Sequence, residues 1–264
     1  MLAAALAFVA GLLIGSFLNV CIYRLPRDLS VAKPSRSFCP SCENTIAWYD
    51  NIPVLSYILL RARCRQCGAH ISIRYPLVEL TTALWFAWSV YALGPVPEAL
   101  RLCSFGAILI ALVVTDYEEQ ILPDEFTLGG TVLGIVLSLA IPVHTGIAHM
   151  FLYDQSERIA SLGEAGLGAA VSSLVLWLLR WLYEKVRHRE GLGLGDVKMV
   201  AMIGAFLGLQ GAILTIMVGS VLGSVIGLAF VLLARKNAAT FELPYGSFLG
   251  IAGLLVAAWF RAGF

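Results

Sequence analysis

Two aspartates and four cysteines are the side chains whose types and spacing could do chemistry in this chain. Asp116 closes the apolar run Ala111-Leu-Val-Val-Thr-Asp116, and Asp196 opens another, straight after Gly191-Leu-Gly-Leu-Gly195. A carboxylate at the edge of hydrocarbon is costly to ionise. Two that face each other can share a proton, the arrangement with which aspartic proteases activate water. The plainer alternative makes both acids interfacial helix ends, with Asp196 as an N-cap. The cysteines form two tight pairs, Cys39-Pro-Ser-Cys42 and Cys64-Arg-Gln-Cys67, with 21 residues between them. That spacing suits a closed tetrahedral zinc site better than disulfides. Four thiolates leave no open coordination position for water, so the metal's role there is structural.

The elements that must position these groups are membrane helices. Of the 264 residues, 59% are hydrophobic and only 13% charged, and the mean hydropathy is +0.84. Those values define an all-α polytopic membrane protein with membrane lipid as its surroundings. A formal net charge of +1 argues against nucleic acid as a partner. Hydropathy predicts about eight transmembrane helices, near 2–23, 77–94, 98–115, 126–143, 161–181, 196–209, 211–234 and 245–262. Met199–Ala234 carries no charge over 36 positions. As one helix it would be about 54 Å long against a hydrocarbon core of roughly 30 Å, so it must break, and Gly208-Leu-Gln-Gly211 is the place. The first apolar run has no basic n-region and no cleavage site, and is expected to persist as a helix. The domains expected are a first transmembrane helix at 1–23, a small cytoplasmic four-cysteine zinc-binding domain at 24–76, and a seven-helix membrane domain at 77–264. Cys21 and Cys103 lie in apolar segments and are expected to pack.

Basic residues set the orientation, because positive loops stay in the cytoplasm. Placing 24–76 inside puts Arg24, Arg27, Lys33, Arg36, Arg61, Arg63, Arg65 and Arg74 there. Alternation then adds Arg180, Lys185, Arg187, Arg189, Lys198, Arg235 and Lys236, which makes 15 of 18 and leaves Arg101, Arg158 and Arg261 outside. The thiols then face a reducing compartment, which favours zinc over disulfides. Asp116 and Asp196 fall at the same cytoplasmic face.

Gly193-Leu-Gly-Asp196 with Val197-Lys198 resembles the GxGD signature of intramembrane aspartyl proteases, in the G-x-G-D-x-K form of bacterial type IV prepilin peptidases. The resemblance extends over nearly the whole chain. It takes in Gly15-Ser-Phe-Leu-Asn-Val-Cys-Ile-Tyr-Arg-Leu-Pro26, the cysteine pairs, Arg74-Tyr-Pro-Leu-Val-Glu79, Asp116-Tyr-Glu-Glu-Gln-Ile-Leu-Pro-Asp124 and Leu243-Pro-Tyr-Gly246. It implies a bifunctional, multi-pass enzyme of the bacterial inner membrane, serving type IV pili and protein secretion. Such an enzyme removes the basic leader of prepilin or pseudopilin precursors at the cytoplasmic face. It then methylates the new N-terminal amine with S-adenosylmethionine. By that match the catalytic pair falls on Asp116 and Asp196.

The interval between Asp116 and Asp196 is longer than is usual in that family, the excess lying around His144–Glu164, on the periplasmic side of this topology. Asp124 competes with Asp116 because it lies in the same motif, but Pro123-Asp124 introduces the next helix and reads as an N-cap. Lys198 stands two positions from Asp196, so it serves as a membrane anchor or tunes the acid. Asn19, Arg24 and Glu79 are polar groups near a membrane face that mark either helix packing or a site. His70, His144, His149 and His188 show no ligand spacing. Glycines 191, 193 and 195 do not make a dinucleotide loop, since no strand precedes them. The four-cysteine domain is expected to position substrate or methyl donor over the acids. A transporter or channel using the two acids as ion sites is the competing class, and it would require an inverted repeat, which the sequence lacks. An inactive interaction protein is a third, against which the intact acids speak.

Overall fold

The computed structural model of the chain describes residues 1–142, 146–151, 156–188, 191–234 and 244–260. His144, Arg189, Arg235, Lys236, Leu243 and Arg261, on which the sequence reading drew, lie outside the described residues. The described chain is helical, relieved by two isolated antiparallel bridges, Phe38 with Thr45 and Arg63 with His70. Its helices are α1 (Leu2–Arg24), α2 (Leu55–Leu59), α3 (Arg74–Leu93), α4 (Pro97–Glu119), α5 (Asp124–Ala140), α6 (Ile147–Phe151), α7 (Glu157–Arg187), α8 (Leu194–Ala234) and α9 (Tyr245–Trp259). Among the described residues, four stretches are long and apolar enough to cross a membrane: Leu2–Arg27, Pro97–Glu119, Glu157–Arg187 and Leu194–Ala229, with α9 a shorter apolar helix. The chain divides into two compact units, Met1–Ala99 and Leu100–Phe264.

In the first unit α1 packs along α3. Gly11, Gly15, Leu18, Asn19 and Ile22 form its buried stripe, while Leu6, Val9, Leu13 and Phe17 on the outer face are exposed and equally apolar. A helix that is apolar all round is one whose outer face meets lipid rather than water. Gly11 and Gly15 are where the two helices touch closely, since a Cβ at either would sit 2.6 Å from the Cα of Ala83 or of Glu79 respectively. Past α1, buried Arg24 gathers the loop that follows by donating to the carbonyls of Ser30, Val31, Pro34 and Arg36. One side chain thereby satisfies backbone groups that have no helix or sheet to bond to.

The second unit is built around α4. Leu102, Phe105, Leu109, Ile110, Ala111, Leu112 and Thr115 are buried on every side of that helix, which makes it the core element. Helix α8 packs against α5, α7 and α9. It breaks at Gly208, whose φ of 69° and ψ of −177° lie outside helical space, within the segment where the length argument demanded a turn. The residue must be glycine on two counts. The backbone conformation is one that L side chains rarely adopt, and a Cβ would meet Glu164 Oε1 at 2.5 Å.

Both frayed ends of that break are tied down by buried charges. Arg101 on α4 donates to the carbonyls of Phe206 (2.7 Å) and Ala205 (3.4 Å), and to Ile141 at the end of α5 (3.2 Å). Glu164 on α7 accepts the amides of Leu209 (3.1 Å) and Ala148 (2.8 Å). A cation at the carboxyl end of one half-helix and an anion at the amino end of the next match the dipoles of both. The break therefore leaves few backbone groups unpaired in an apolar interior, where each would cost several kcal/mol.

Candidate active site

Asp116 lies in the last turn of α4 and is buried at 6% exposure. Its Oδ2 accepts the backbone N–H of Ser247 at 2.5 Å and the Ser247 hydroxyl at 2.9 Å. Ser247 is the third residue of α9, and its first-turn amide is shared between Asp116 and the Pro244 carbonyl just before the helix, 3.2 Å away. Asp116 thus caps α9 from across the core, and the positive end of that helix faces its carboxylate. Gly246 gives the room for this. A Cβ there would lie 2.9 Å from the Asp116 Cγ and 3.1 Å from both oxygens.

Asp196, at 8% exposure, is likewise bound to a helix start. Helix α8 begins at Leu194, so Asp196 is its third residue rather than its N-cap, and its Oδ2 accepts the Gly193 N–H at 3.2 Å. That is one half of a capping box, the acid reaching back to the backbone just before the helix. Its other oxygen has no hydrogen-bond partner among the described residues. The two acids lie close enough for the charge of Asp116 to act on Asp196, and Asp196 acts in turn on Tyr245, whose hydroxyl meets Ser220 at 3.1 Å. The end of α4 and the starts of α8 and α9 thus converge on one pair of carboxylates.

Two neighbours are placed differently from the sequence reading. Pro123 occupies the N-cap position of α5, leaving Asp124 as the first helical residue with no side-chain cap. Its carboxylate instead pairs with Lys198 Nζ at 2.6 Å, on the exposed surface. Proline cannot donate an N–H and is suited to a helix entry, which explains the displacement. Lys198 is therefore engaged with Asp124.

The four thiols come together in the first unit. The Sγ atoms of Cys39, Cys42, Cys64 and Cys67 all lie within 4.8 Å of one another. Each pair sits in the same kind of knuckle. Cys39 N–H donates to Asn44 O and Glu43 N–H to Cys39 O; Cys64 N–H donates to Ala69 O and Gly68 N–H to Cys64 O. Glu43 and Gly68 hold the same left-handed backbone at equivalent places, with φ of 56° and 72°. Burial pushes the Cys39 thiol up, but backbone hydrogen bonds from Ser41 and Cys42 and the Cys64 and Cys42 side chains outweigh it and bring it down to about 7. At Cys67 the Ala69 amide pulls down, yet burial and the three other sulfurs push it up to about 11. Four sulfurs this close resist carrying four charges by themselves, and a divalent cation at their centre relieves that repulsion, so the donor set fits a tetrahedral metal. Arg65 grips Asp50 with two hydrogen bonds, at 2.7 and 2.6 Å, tying the second knuckle to the turn at Trp48–Asp50. The guanidinium holds the Asp50 carboxyl below its usual range.

Asn19 and Glu79 are both buried in the α1–α3 seam, and Cys21 and Cys103 are buried in their helices. Sequence reasoning missed Ser247, Arg101 and Glu164 as partners of the site and its scaffold. The string Leu243-Pro-Tyr-Gly246 ends one residue short of Ser247, and only its adjacency to that string could have raised the serine.

The comparisons with known proteins divide the chain at nearly the same place. Residues 9–93 match the model of the Bacterial Peptidase A24 N-terminal domain, and residues 103–228 that of the Type IV leader peptidase family. A "Prepilin leader peptidase/N-methyltransferase" of Pseudomonas putida is 36% identical over 275 residues, covering 96% of this chain and 90% of the relative. Proteins of the same description from Aeromonas hydrophila (36% identity, 97% of this chain, 90% of the relative) and Myxococcus xanthus (37%, 97% and 71%) are similarly related. No solved structure gives a significant match.

Proposed function

Since the chain belongs to the type IV leader peptidase family, we propose that it cleaves the leader from prepilin or pseudopilin precursors and methylates the new N-terminus. The observation that carries the cleavage reading is the convergence of Asp116 and Asp196, both buried, on three helix ends of one unit. In this reading the two carboxylates share a proton across a water molecule. One withdraws a proton as the water attacks the scissile carbonyl, and the other delivers its own to the leaving amine. Ser247 and Gly193 hold one oxygen of each acid and leave the other turned to the reaction.

The finer parts of the reading follow from the same logic. The chain spans the inner membrane about eight times, with α3, α5, the two halves of α8, and α9 crossing besides the longer helices. Segment 24–76 forms a cytoplasmic domain, and 77–264 the membrane domain that carries the acids. Cys39, Cys42, Cys64 and Cys67 would hold one zinc ion, which cross-links a segment too small to keep a core by itself. S-adenosylmethionine supplies the methyl group. Lipid is the surrounding partner, and nucleic acid is not one.

The test is to incubate the purified protein in lipid nanodiscs with a prepilin, with and without S-adenosylmethionine, and to read products by mass spectrometry. The expected products are the shortened pilin in both cases and its singly methylated form only with the donor. Asp116→Asn and Asp196→Asn should each abolish shortening. Near-normal cleavage by either variant would refute the dyad.

A further inference from the structure

The seam between α1 and α3 holds a buried acid and a buried amide oxygen that the cleavage reaction does not use. Glu79 is 8% exposed, and its carboxylate accepts the Val54 N–H at 2.7 Å and the Ser16 hydroxyl. No lysine, arginine or histidine among the described residues pairs with it. One turn away, Asn19 is 3% exposed and donates its Nδ2 to Tyr75 O at 3.0 Å, while its Oδ1 has no partner at all. Ser16 and Asn19 stand three residues apart on α1, and Tyr75 and Glu79 four apart on α3, so the contacts run antiparallel along one seam. The carboxylate and the amide oxygen are then neighbours on it.

Both are acceptors. A buried acceptor without a donor is costly, and a buried carboxylate without a counter-charge more so, unless a cationic donor occupies the place between them. The seat is also a guarded one. Val54, whose N–H closes over Glu79, is β-branched yet sits at φ 61°, ψ −46°, a conformation that costs on the order of 1–3 kcal/mol and recurs at ligand clamps. Gly15 brings the α1 backbone against Glu79 from the other side. Asn19 lies five residues before the end of α1 at Arg24, and Glu79 five after the start of α3 at Arg74. Both are therefore only about 7 Å from the helix ends.

We propose that Glu79 and Asn19 form the seat of a primary ammonium group, and that this group is the N-terminal amine awaiting methylation. The identity of the amine rests on the methyltransferase reading above. The step balances as follows. Glu79 takes one proton from the ammonium and so frees the nitrogen lone pair, while the Asn19 oxygen accepts a second N–H and orients it. The lone pair attacks the methyl carbon of a sulfonium donor, the S–C bond breaks to leave a neutral thioether, and the positive charge passes to the methylated nitrogen. The proton on Glu79 returns to solvent when the product leaves. A neighbouring carboxylate and amide suit this chemistry because methyl transfer asks mainly for a deprotonated amine held in line.

The experiment compares two synthetic peptides of mature pilin sequence, one with a free N-terminal phenylalanine and its N-acetylated twin. Binding to full-length protein in nanodiscs is measured without any methyl donor, and methyl transfer from labelled S-adenosylmethionine is measured separately. The free-amine peptide should bind the wild type at least about tenfold more tightly than the acetylated one, the loss expected when a buried acceptor set goes unpaired. Glu79→Gln should bind both peptides alike and lose methyl transfer by about a hundredfold or more, with metal stoichiometry reporting that the first unit is still folded. Asn19→Leu should narrow the preference to about threefold. Equal binding of the two peptides by the wild type overturns the seat, as does methyl transfer by folded Glu79→Gln at the wild-type rate. If Glu79→Gln loses its metal, the wild-type preference and Asn19→Leu decide. Absence of methyl transfer by the wild type would instead sink the methyltransferase reading, and the preference for the free amine would still be read from binding.

Discussion

Replacing Ser247 by alanine removes one hydroxyl group and leaves the rest of the acid's environment standing, so its effect can be worked out. The hydroxyl has a single proton to give, and two acceptors compete for it, Asp116 Oδ2 at 2.9 Å and Val113 O at 3.0 Å. A hydrogen bond to a charged group is worth about 1.5–3 kcal/mol net, and sharing between the two acceptors roughly halves that. The backbone N–H of Ser247 survives the change and continues to hold the same carboxylate oxygen. Ser247→Ala should then cost about 0.8–1.5 kcal/mol in transition-state stabilisation, or about four- to twelvefold in kcat/KM. The loss should fall on kcat, since the serine touches the acid and not the leader. The assay is steady-state cleavage of a fluorogenic prepilin peptide by protein in nanodiscs. Ser247→Thr, which keeps a hydroxyl, should recover most of the loss. Gly246→Ala gives the other bound, because its methyl would press on the Asp116 carboxyl group itself, and a displacement of that kind costs about a hundredfold. Wild-type kcat/KM in folded Ser247→Ala would refute the argument that the start of α9 holds the acid in place.

The remaining predictions concern the scaffold. One zinc should bind per chain, and replacing Cys39 and Cys64 together by serine should remove it and expose the knuckles to protease while the membrane helices stay protected; full metal content in a variant lacking all four cysteines would contradict this. Gly208→Ala should lower stability by about 2 kcal/mol or more, since alanine pays for the left-handed backbone and crowds Glu164, and a thermal melt in detergent unchanged from wild type would count against the break as described. Asp124→Asn should leave cleavage within about threefold of wild type, because its pair with Lys198 is solvent-exposed and worth about 0–1 kcal/mol; an inactive but folded variant would bring Asp124 into the catalytic pair.

Much of this could be read from the sequence because it is local. Apolar runs mark α1, α4 and α7 by length alone, and the absence of charge over Met199–Ala234 forces a break that only the glycines around 208 can supply. Cys-x-x-Cys pairs carry their ligand geometry within four residues. What stayed hidden is non-local. Ser247 lies 131 positions from Asp116, and Arg101 lies 105 from the Phe206 carbonyl. Neither an isolated serine nor an arginine at the start of an apolar helix signals its partner. Asp124 was misplaced as a cap for a related reason, since helix entries shift by a residue when proline can take the cap position itself, and the lysine that claims its carboxylate is 74 residues away.

The interruption of α8 also separates two rotations. A continuous helix is a rigid shaft, in which adding or deleting one residue turns everything beyond it by about 100°. With Arg101 gripping the carbonyls just before Gly208 and Glu164 gripping the amide just after it, the angular setting of Asp196 is fixed only by the residues from Leu194 to the break. A single insertion among those residues swings the carboxylate away from Asp116. The same insertion in the second half leaves Asp196 facing where it did, because the twist stops at the glycine. Natural variation in length can therefore accumulate beyond Gly208, on the part of the helix remote from the acid, without disturbing how Asp196 faces Asp116.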